Sequence, residues 1–565
     1  MNSWRLKVVL VLFFILAAII IGRLFYIQVI SRKYYQSQAL GQQAGFKKIQ
    51  GDRGEVFFKN SKENRGQSGS GEVKSLAINK EKWLVAVVGK NVKDKDYFSR
   101  TLSDLIGISK EFIFSKITEQ DSYVVLKKDV SSEEIKNIKN AKLDGLVFES
   151  SSARYYPQEA LASQVIGFLG GEDSTGQYGI EGYYEDILKG KEGIYEQKTG
   201  LGIINSENQE GSLDGSDLYL TIDYNIQFQA EILLQEAKKN INIDSGQVIV
   251  IKPDSGRILA LANFPSFNPN KYSKEFGFGI FQNSAIQKIY EPGSVFKPLI
   301  MAMALNEGKV SPDSTFVDEG FIKIGPDTVY NFDRKKYGLQ TMSGILEKSI
   351  NTGAMYLASL LSHSTFQDYL EKFGFNEKTG VDLQGEVYSR NDILKKGSDF
   401  GFATASFGQG IEMTPIQLVQ AFSLLANDGK IVKPYVVEKI VHGEDEIIVK
   451  PEISDAMVTP STVLETTKMM INVVDRGFGD SAKIKGYYLA GKTGTAEVPI
   501  TNGKGYYADK TIQSFIGFGP ALKPEFLILV KLDNPKVPKS SLSAAPIFKK
   551  MAQYIINYWQ LPPDY

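Results

Sequence analysis

The chain is 565 residues long, enough for two or three domains with at least one large core. Lysine plus arginine and aspartate plus glutamate both number 65, so no excess charge points to a nucleic-acid partner. With no cysteine and only His363 and His442 as histidines, the sequence excludes thiol chemistry and disulfides and poorly supplies Ser-His-Asp or His-rich metal sites. A serine nucleophile here needs another base, and lysine is the obvious candidate.

Taken in order, Met1–Lys7 carries Arg5 and Lys7, and Val8–Gly22 is then uninterrupted apolar sequence. After Arg23 the apolar character continues to Ile30, with no small-x-small cleavage site closing the run. That length predicts an uncleaved membrane anchor over residues 1–30, with Arg23 snorkelling. Positive-inside reasoning puts the N-terminus in the cytoplasm and the bulk of the chain outside, although Arg32 and Lys33 reduce the charge asymmetry.

Residues 31–215 are mixed in texture. Lys59–Lys74 (KNSKENRGQSGSGEVK) reads as a flexible polar loop. Trp83–Val88 and Tyr123–Leu126 read as buried strands, and Ser131–Lys142 as a charged surface helix. Gly51-Asp52-Arg53-Gly54 marks a turn with an Asp–Arg pair. No metal or phosphate motif is visible, and the region is expected to be a non-catalytic pedestal.

Near Gly215 the pattern changes. Leu218–Asp223 reads as a strand ending on an N-cap, and Tyr224–Lys239 has helical apolar spacing. Gly246–Ile251 and Arg257–Ala262 flank Pro253-Asp254-Ser255-Gly256, a hairpin signal. Gln513–Phe518 and Phe526–Leu532 form a second strand pair, followed by a terminal helix over Ala544–Trp559. Strands at both ends of 216–565 predict one α+β domain whose sheet joins the two ends.

Within that domain lies Glu291-Pro292-Gly293-Ser294-Val295-Phe296-Lys297-Pro298, the only S-x-x-K in the chain to carry Pro-Gly before it and proline after it. If a helix starts here, Ser294 and Lys297 share a face. That suits a serine nucleophile with a lysine base, although an arbitrary S-x-x-K is more often a chance match. S-x-N occurs at Ser206, Ser266, Ser349 and Ser389, and K-T-G at Lys198, Lys378 and Lys492. Ser349-Ile350-Asn351 joins two apolar helical segments, where buried polar side chains need a reason to be inside. Ser389 sits in a polar loop, and Ser206 and Ser266 precede Ser294. Lys492-Thr493-Gly494-Thr495 follows extended apolar sequence, with a glycine that permits close backbone approach. Lys198 and Lys378 lie in turns.

The ordered set Ser294-x-x-Lys297, Ser349-x-Asn351, Lys492-Thr493-Gly494 resembles the signature of class B penicillin-binding proteins, membrane-anchored peptidoglycan D,D-transpeptidases. The likeness extends over nearly the whole chain. Arg23–Val29, Gly51–Gly54, Arg154–Pro157, Ile166–Phe168 and Gly179–Glu181 are similar to the family's membrane-exit and pedestal motifs. Gly51, where the first of these usually has arginine, and the Lys59–Lys74 insert are departures. Ser406–Gly410, Thr414–Leu418 and Ser514–Phe518 are closer to the cell-division branch than to the elongation branch.

The resemblance implies an antiparallel-sheet transpeptidase domain (216–565) flanked by helices, a pedestal or dimerisation-type domain (31–215) and one transmembrane helix (1–30). It also implies a bacterial plasma-membrane location, with the catalytic domain extracytoplasmic. Ser294 would attack a D-Ala-D-Ala stem peptide, Lys297 would be its base, and Ser349 would relay a proton. Asn351, Lys492, Thr493, Gly494 and Thr495 would bind the substrate, and the backbone N–H groups of Ser294 and Thr495 would form the oxyanion hole. No cofactor is implied. The partners implied are stem peptides, β-lactams as inhibitors, a membrane glycosyltransferase and other division proteins. A β-lactam sensor and a non-catalytic scaffold are the alternatives. The E-x-x-L-N pattern expected of a class A β-lactamase is not met at Glu386–Arg390.

Overall fold

The computed structural model describes residues 3–26, 46–59, 73–119, 123–171, 174–196, 209–210, 214–500 and 505–565. Most of the polar Lys59–Lys74 stretch, the end of the apolar run at Ile27–Ile30, and the motif rivals at Lys198 and Ser206 lie outside the described residues. The chain divides into two units: Met1–Gly54 with Asp186–Ser216, and Glu55–Glu185 with Asp217–Tyr565.

In the first unit a 23-residue helix runs Ser3–Phe25. The described side chains on it are Trp4 and those at 11–17 and 20–26, nearly all exposed. Among the described residues no helix is long and apolar enough to cross a membrane. A small antiparallel sheet pairs Phe46–Gln50 with Glu192–Glu196, which pairs in turn with Gln209–Glu210. Gly190 lies so near the Gly51 carbonyl that a Cβ on it would meet that oxygen at 2.3 Å.

In the second unit a seven-stranded mixed sheet draws strands from both sides of residue 216. Val56–Lys59 pairs parallel with Asp217–Asp223 and antiparallel with Ser75–Val88. Ser75–Val88 carries Tyr123–Val130 and Leu146–Tyr155 on its far half, while Val437–His442 and Asp445–Ile448 extend the other edge. Helices Lys95–Ile106, Lys110–Glu119 and Ser132–Asn140 pack Phe98, Leu102, Ile113 and Ile135 against it. The last of these starts on a capping box, Ser131 with Glu134. Arg154 donates to Glu181 at 2.7 Å, and Tyr156 donates to the same carboxylate at 3.2 Å. Motifs far apart in the sequence thus meet in one buried ion pair, its side chains 3% and 0% exposed.

The other sheet of this unit has five antiparallel strands, and its order explains the strand pairs at the two ends of the domain. Ile258–Phe264 and Ser245–Ile251 form the hairpin, Phe526–Asp533 pairs with Ser245–Ile251, and Tyr506–Gly519 follows. Ala490–Pro499 is the edge strand. Ser245–Ile251 is buried along nearly its whole length because both faces are covered. On one face, Val248, Val250 and Phe515 meet helix Tyr224–Ile241 through Leu233 and Leu234, and helix Ala544–Trp559 through Phe548 and Met551. Asp223 caps the first of these helices, accepting from the Asn225 and Ile226 N–H groups at 2.8 and 3.2 Å. Helices Pro415–Ala426 and Pro460–Arg476 pack on the sheet from other elements.

Candidate active site

Gly293 has φ +64°, a left-handed turn into a single 3-10 turn over Gly293–Phe296. Helix Lys297–Asn306 continues from it, and Lys297–Ala304 is buried without a break. A helix that is apolar all round belongs inside a core. In the run Pro292–Ala304 the one residue not fully buried is Ser294. Ser294 lies in that turn and Lys297 directly follows it, with the lysine's hydrogen bonds leading to Ser349 and Asn351.

Lys297 Nζ donates to the Ser349 carbonyl at 2.6 Å, to Ser349 Oγ at 3.4 Å and to Asn351 Oδ1 at 2.8 Å. Lys492 Nζ reaches the same hydroxyl at 2.9 Å, and also meets the Thr493 carbonyl at 3.0 Å and Thr493 Oγ1 at 3.3 Å. Ser349 is therefore the meeting point of two ammonium groups whose side chains are both 0% exposed. It stands between helices Met342–Glu347 and Asn351–Ser359 at φ +55°, a conformation costing a non-glycine residue about 1–3 kcal/mol. That turn presents both its carbonyl and its hydroxyl to lysines.

Burial, and then repulsion from Lys492, hold the Lys297 amine well below the ordinary lysine range. Burial alone brings Lys492 down to about 7. Burial and the neighbouring charge thus both favour the neutral form of the Lys297 amine.

Strand Ala490–Pro499 brings Lys492, Thr493, Gly494 and Thr495 alongside. Gly494 is required by space: a Cβ would lie 2.5 Å from Ser514 Oγ and 2.8 Å from Val295 Cγ1. Thr495 Oγ1 lies 3.5 Å from Ser540 Oγ. All eight predicted site residues thus fall on three short stretches of chain, 294–297, 349–351 and 492–495, that lie side by side. Among the described rivals, Ser389 donates to Glu412 at 3.2 Å, and Lys378 is exposed.

Sequence reasoning gave no role to Glu291 or to the glycines of Ser406–Gly410. The Gly293 N–H donates to the Gly408 carbonyl at 2.9 Å, and a Cβ on Gly408 would strike the Gly293 carbonyl at 2.1 Å. Glu291 accepts from the Gly410 N–H at 2.9 Å and from the Tyr506 hydroxyl at 3.1 Å. Burial first, then the Glu412 and Glu497 charges, push Glu291 up to about 7 against those donors. The serine turn is thus clamped from behind by a glycine loop. A carboxylate directly before Pro-Gly was the available signal.

A family model described as the penicillin-binding protein transpeptidase domain matches residues 246–553, and one for the penicillin-binding protein dimerisation domain matches residues 61–220. Stage V sporulation protein D of Bacillus subtilis is 32% identical, over 96% of this chain and 84% of that protein. Peptidoglycan D,D-transpeptidase FtsI of Buchnera aphidicola subsp. Schizaphis graminum is also 32% identical, over 85% and 83%. The crystal structure of penicillin-binding protein 3 from Mycobacterium tuberculosis with aztreonam shares the fold at a TM-score of 0.70 and 24% identity, covering 92% of this chain and 97% of that one.

Proposed function

The chain belongs to the class B penicillin-binding proteins and is a serine D-Ala-D-Ala transpeptidase of peptidoglycan synthesis, and from that premise we propose how its own residues perform the reaction. The observation that carries the reading is the pair of buried lysines meeting at the Ser349 hydroxyl beside the Ser294 turn. Lys297, held as the free base, takes the Ser294 proton as the serine oxygen attacks the penultimate D-Ala carbonyl. The Ser294 and Thr495 backbone N–H groups receive the developing oxyanion; losing one such donor typically costs about a hundred- to a thousandfold in rate. Ser349 passes a proton to the leaving nitrogen, the C–N bond breaks and D-Ala departs. The amine of a second stem peptide then attacks the ester, forms the cross-link and returns the proton to Ser294.

Lys492, Thr493 and Thr495 meet the substrate's terminal carboxylate, Gly494 lets the peptide approach, and Asn351 holds the substrate amide. An arriving carboxylate favours the charged form of Lys492, so binding itself restores the proton that burial removes. A β-lactam enters at the first step and stops there. Labelling by a fluorescent penicillin is expected to be covalent and to vanish in Ser294→Ala; a variant that still labels would remove Ser294 as nucleophile.

We place residues 1–30 in the plasma membrane with the N-terminus cytoplasmic, 31–215 as the pedestal and 216–565 as the catalytic domain outside. The apolar sequence of Val8–Ile30 supports this. Alkaline phosphatase fused after Ile30 should be active, and an inactive fusion would reverse the orientation. The substrates are peptidoglycan stem peptides of septal or elongation wall synthesis, with a membrane glycosyltransferase and other division proteins as partners.

A further inference from the structure

Helix Asn351–Ser359 begins with a substrate-site residue, yet the residue in its N-cap position is Ile350, whose side chain makes no capping hydrogen bond. The orphan N–H groups of a first turn need an acceptor, more so when buried. Here the acceptor comes from twenty residues upstream. Asn331 Oδ1 accepts from the Asn351 N–H at 3.0 Å and from the Thr352 N–H at 3.2 Å. Asn331 is 3% exposed, so no water takes its place readily.

The amide is held in one orientation. Asn331 Nδ2 donates to the Asp318 carboxylate at 2.9 and 3.1 Å and to the Lys335 carbonyl at 2.9 Å. A flipped amide would set its oxygen against that carboxylate and leave the helix N–H groups facing NH2. Asp318 is itself 0% exposed and pinned by the Tyr337 N–H at 2.7 Å, the Gly320 N–H at 2.9 Å and the Thr352 hydroxyl at 2.6 Å. The neighbouring Tyr330 carbonyl accepts from Asn351 Nδ2 at 3.2 Å, while Asn351 Oδ1 accepts from Lys297. Both ends of the Asn351 amide are thereby fixed, one by Lys297 and one by strand Asp327–Tyr330, which Asn331 directly follows.

We propose that Asn331, oriented by Asp318, is a positioning residue for the transpeptidase reaction: it caps the Asn351 helix from a distant loop and so sets Asn351 against Lys297 and the substrate. The proposal rests on the reading of Asn351 as a substrate-site residue. A merely structural residue would weaken the fold and slow acylation by the same factor whatever stands at 351. A positioning residue acts only through Asn351.

The test is a double-mutant cycle on the full-length chain in detergent, reading the second-order rate of acylation by a fluorescent penicillin. Asn331→Ala is expected to slow acylation about five- to tenfold, and by less than about twofold when Asn351→Ala is already present. Equal losses in both backgrounds, or a wild-type rate in Asn331→Ala, overturn the proposal. Asn351→Ala measured alone bears separately on the substrate-holding role, which a wild-type rate there would sink. Should Asn331→Ala not accumulate as folded protein, Asp318→Asn frees the amide orientation at constant volume. It then takes the place of Asn331→Ala in the cycle, with the same losses expected and the same results overturning the proposal.

Discussion

Replacing Lys492 by methionine should strengthen the fold while crippling the enzyme. Lys492 is 0% exposed, and its amine titrates near 7 in the folded chain against 10.5 for an ordinary lysine. Between those pH values the unfolded chain binds more protons than the folded one, so stability rises with pH across the window. Below about pH 7 the folded state carries the full penalty, on the order of 4–5 kcal/mol, and above about pH 10.5 it carries none. Methionine fills similar volume without charge but gives up the hydrogen bonds to Ser349 and Thr493, a loss of roughly 2 kcal/mol. The variant is therefore expected to be more stable than wild type by about 2–3 kcal/mol at pH 6.5, by about 1 at pH 8, and no more stable by about pH 9.5. Guanidinium unfolding of both full-length chains at those three pH values, followed by intrinsic fluorescence, measures the gap; acylation by fluorescent penicillin should be severely slowed in parallel. A Lys492→Met chain that is less stable at pH 6.5, or a gap that does not close as pH rises, would refute the premise that this amine is held dry and short of its proton.

Ser349→Ala removes the hydroxyl that both lysines reach, and acylation should fall by about a hundredfold or more, whereas Ser389→Ala, which loses a bond to Glu412 and one from the Asn391 N–H, should stay within about twofold. Similar acylation rates in the two would remove the proton relay from Ser349. Arg154→Met leaves the Glu181 carboxylate buried without its arginine, a change expected to cost about 3–5 kcal/mol. Calorimetry of the variant should show that loss, and an unchanged melting profile would mean the ion pair stabilises nothing.

The proposed catalytic set could be picked out because each motif is local and its residue types are chemically unusual where they stand: a lysine amid helical apolar sequence at 297, a serine and asparagine between buried helices at 349 and 351. The terminal strands and the last helix announced themselves through period and turn residues. The support around the site did not. Asp318 ends the short strand Thr315–Asp318 and Asn331 follows another, Asp327–Tyr330, and nothing in their spacing says they lie against Asn351. The one local clue was negative: an isoleucine where a helix start wants serine, threonine, aspartate or asparagine. The seven-stranded sheet was hidden for a related reason. Its pairing of Asp217–Asp223 with both Val56–Lys59 and Val437–His442 joins segments that no short-range pattern connects. The carboxylate of Glu291 was visible in the motif, but its task depends on Gly410 and Tyr506, far along the chain.

The five-stranded sheet has a temporal consequence. Its hairpin, Ser245–Phe264, finds its neighbour only when Phe526–Asp533 has been made, about 270 residues later. At the usual pace of synthesis, about 5–20 residues per second, that is a wait on the order of tens of seconds. Throughout it, two strands that are almost wholly buried in the finished domain lack their sheet neighbour and have only the preceding helix Tyr224–Ile241 to lie against. High contact order of this kind makes folding slow and leaves nascent strands open to wrong pairing. The segment following the hairpin includes Ser294 and Lys297, so the nucleophile is synthesised long before the strand bearing Lys492 exists to complete its surroundings. Competence is expected only once the closing strands are made, and a chain cut short before Phe526 would carry Ser294 and Lys297 without the sheet neighbour of Ser245–Ile251.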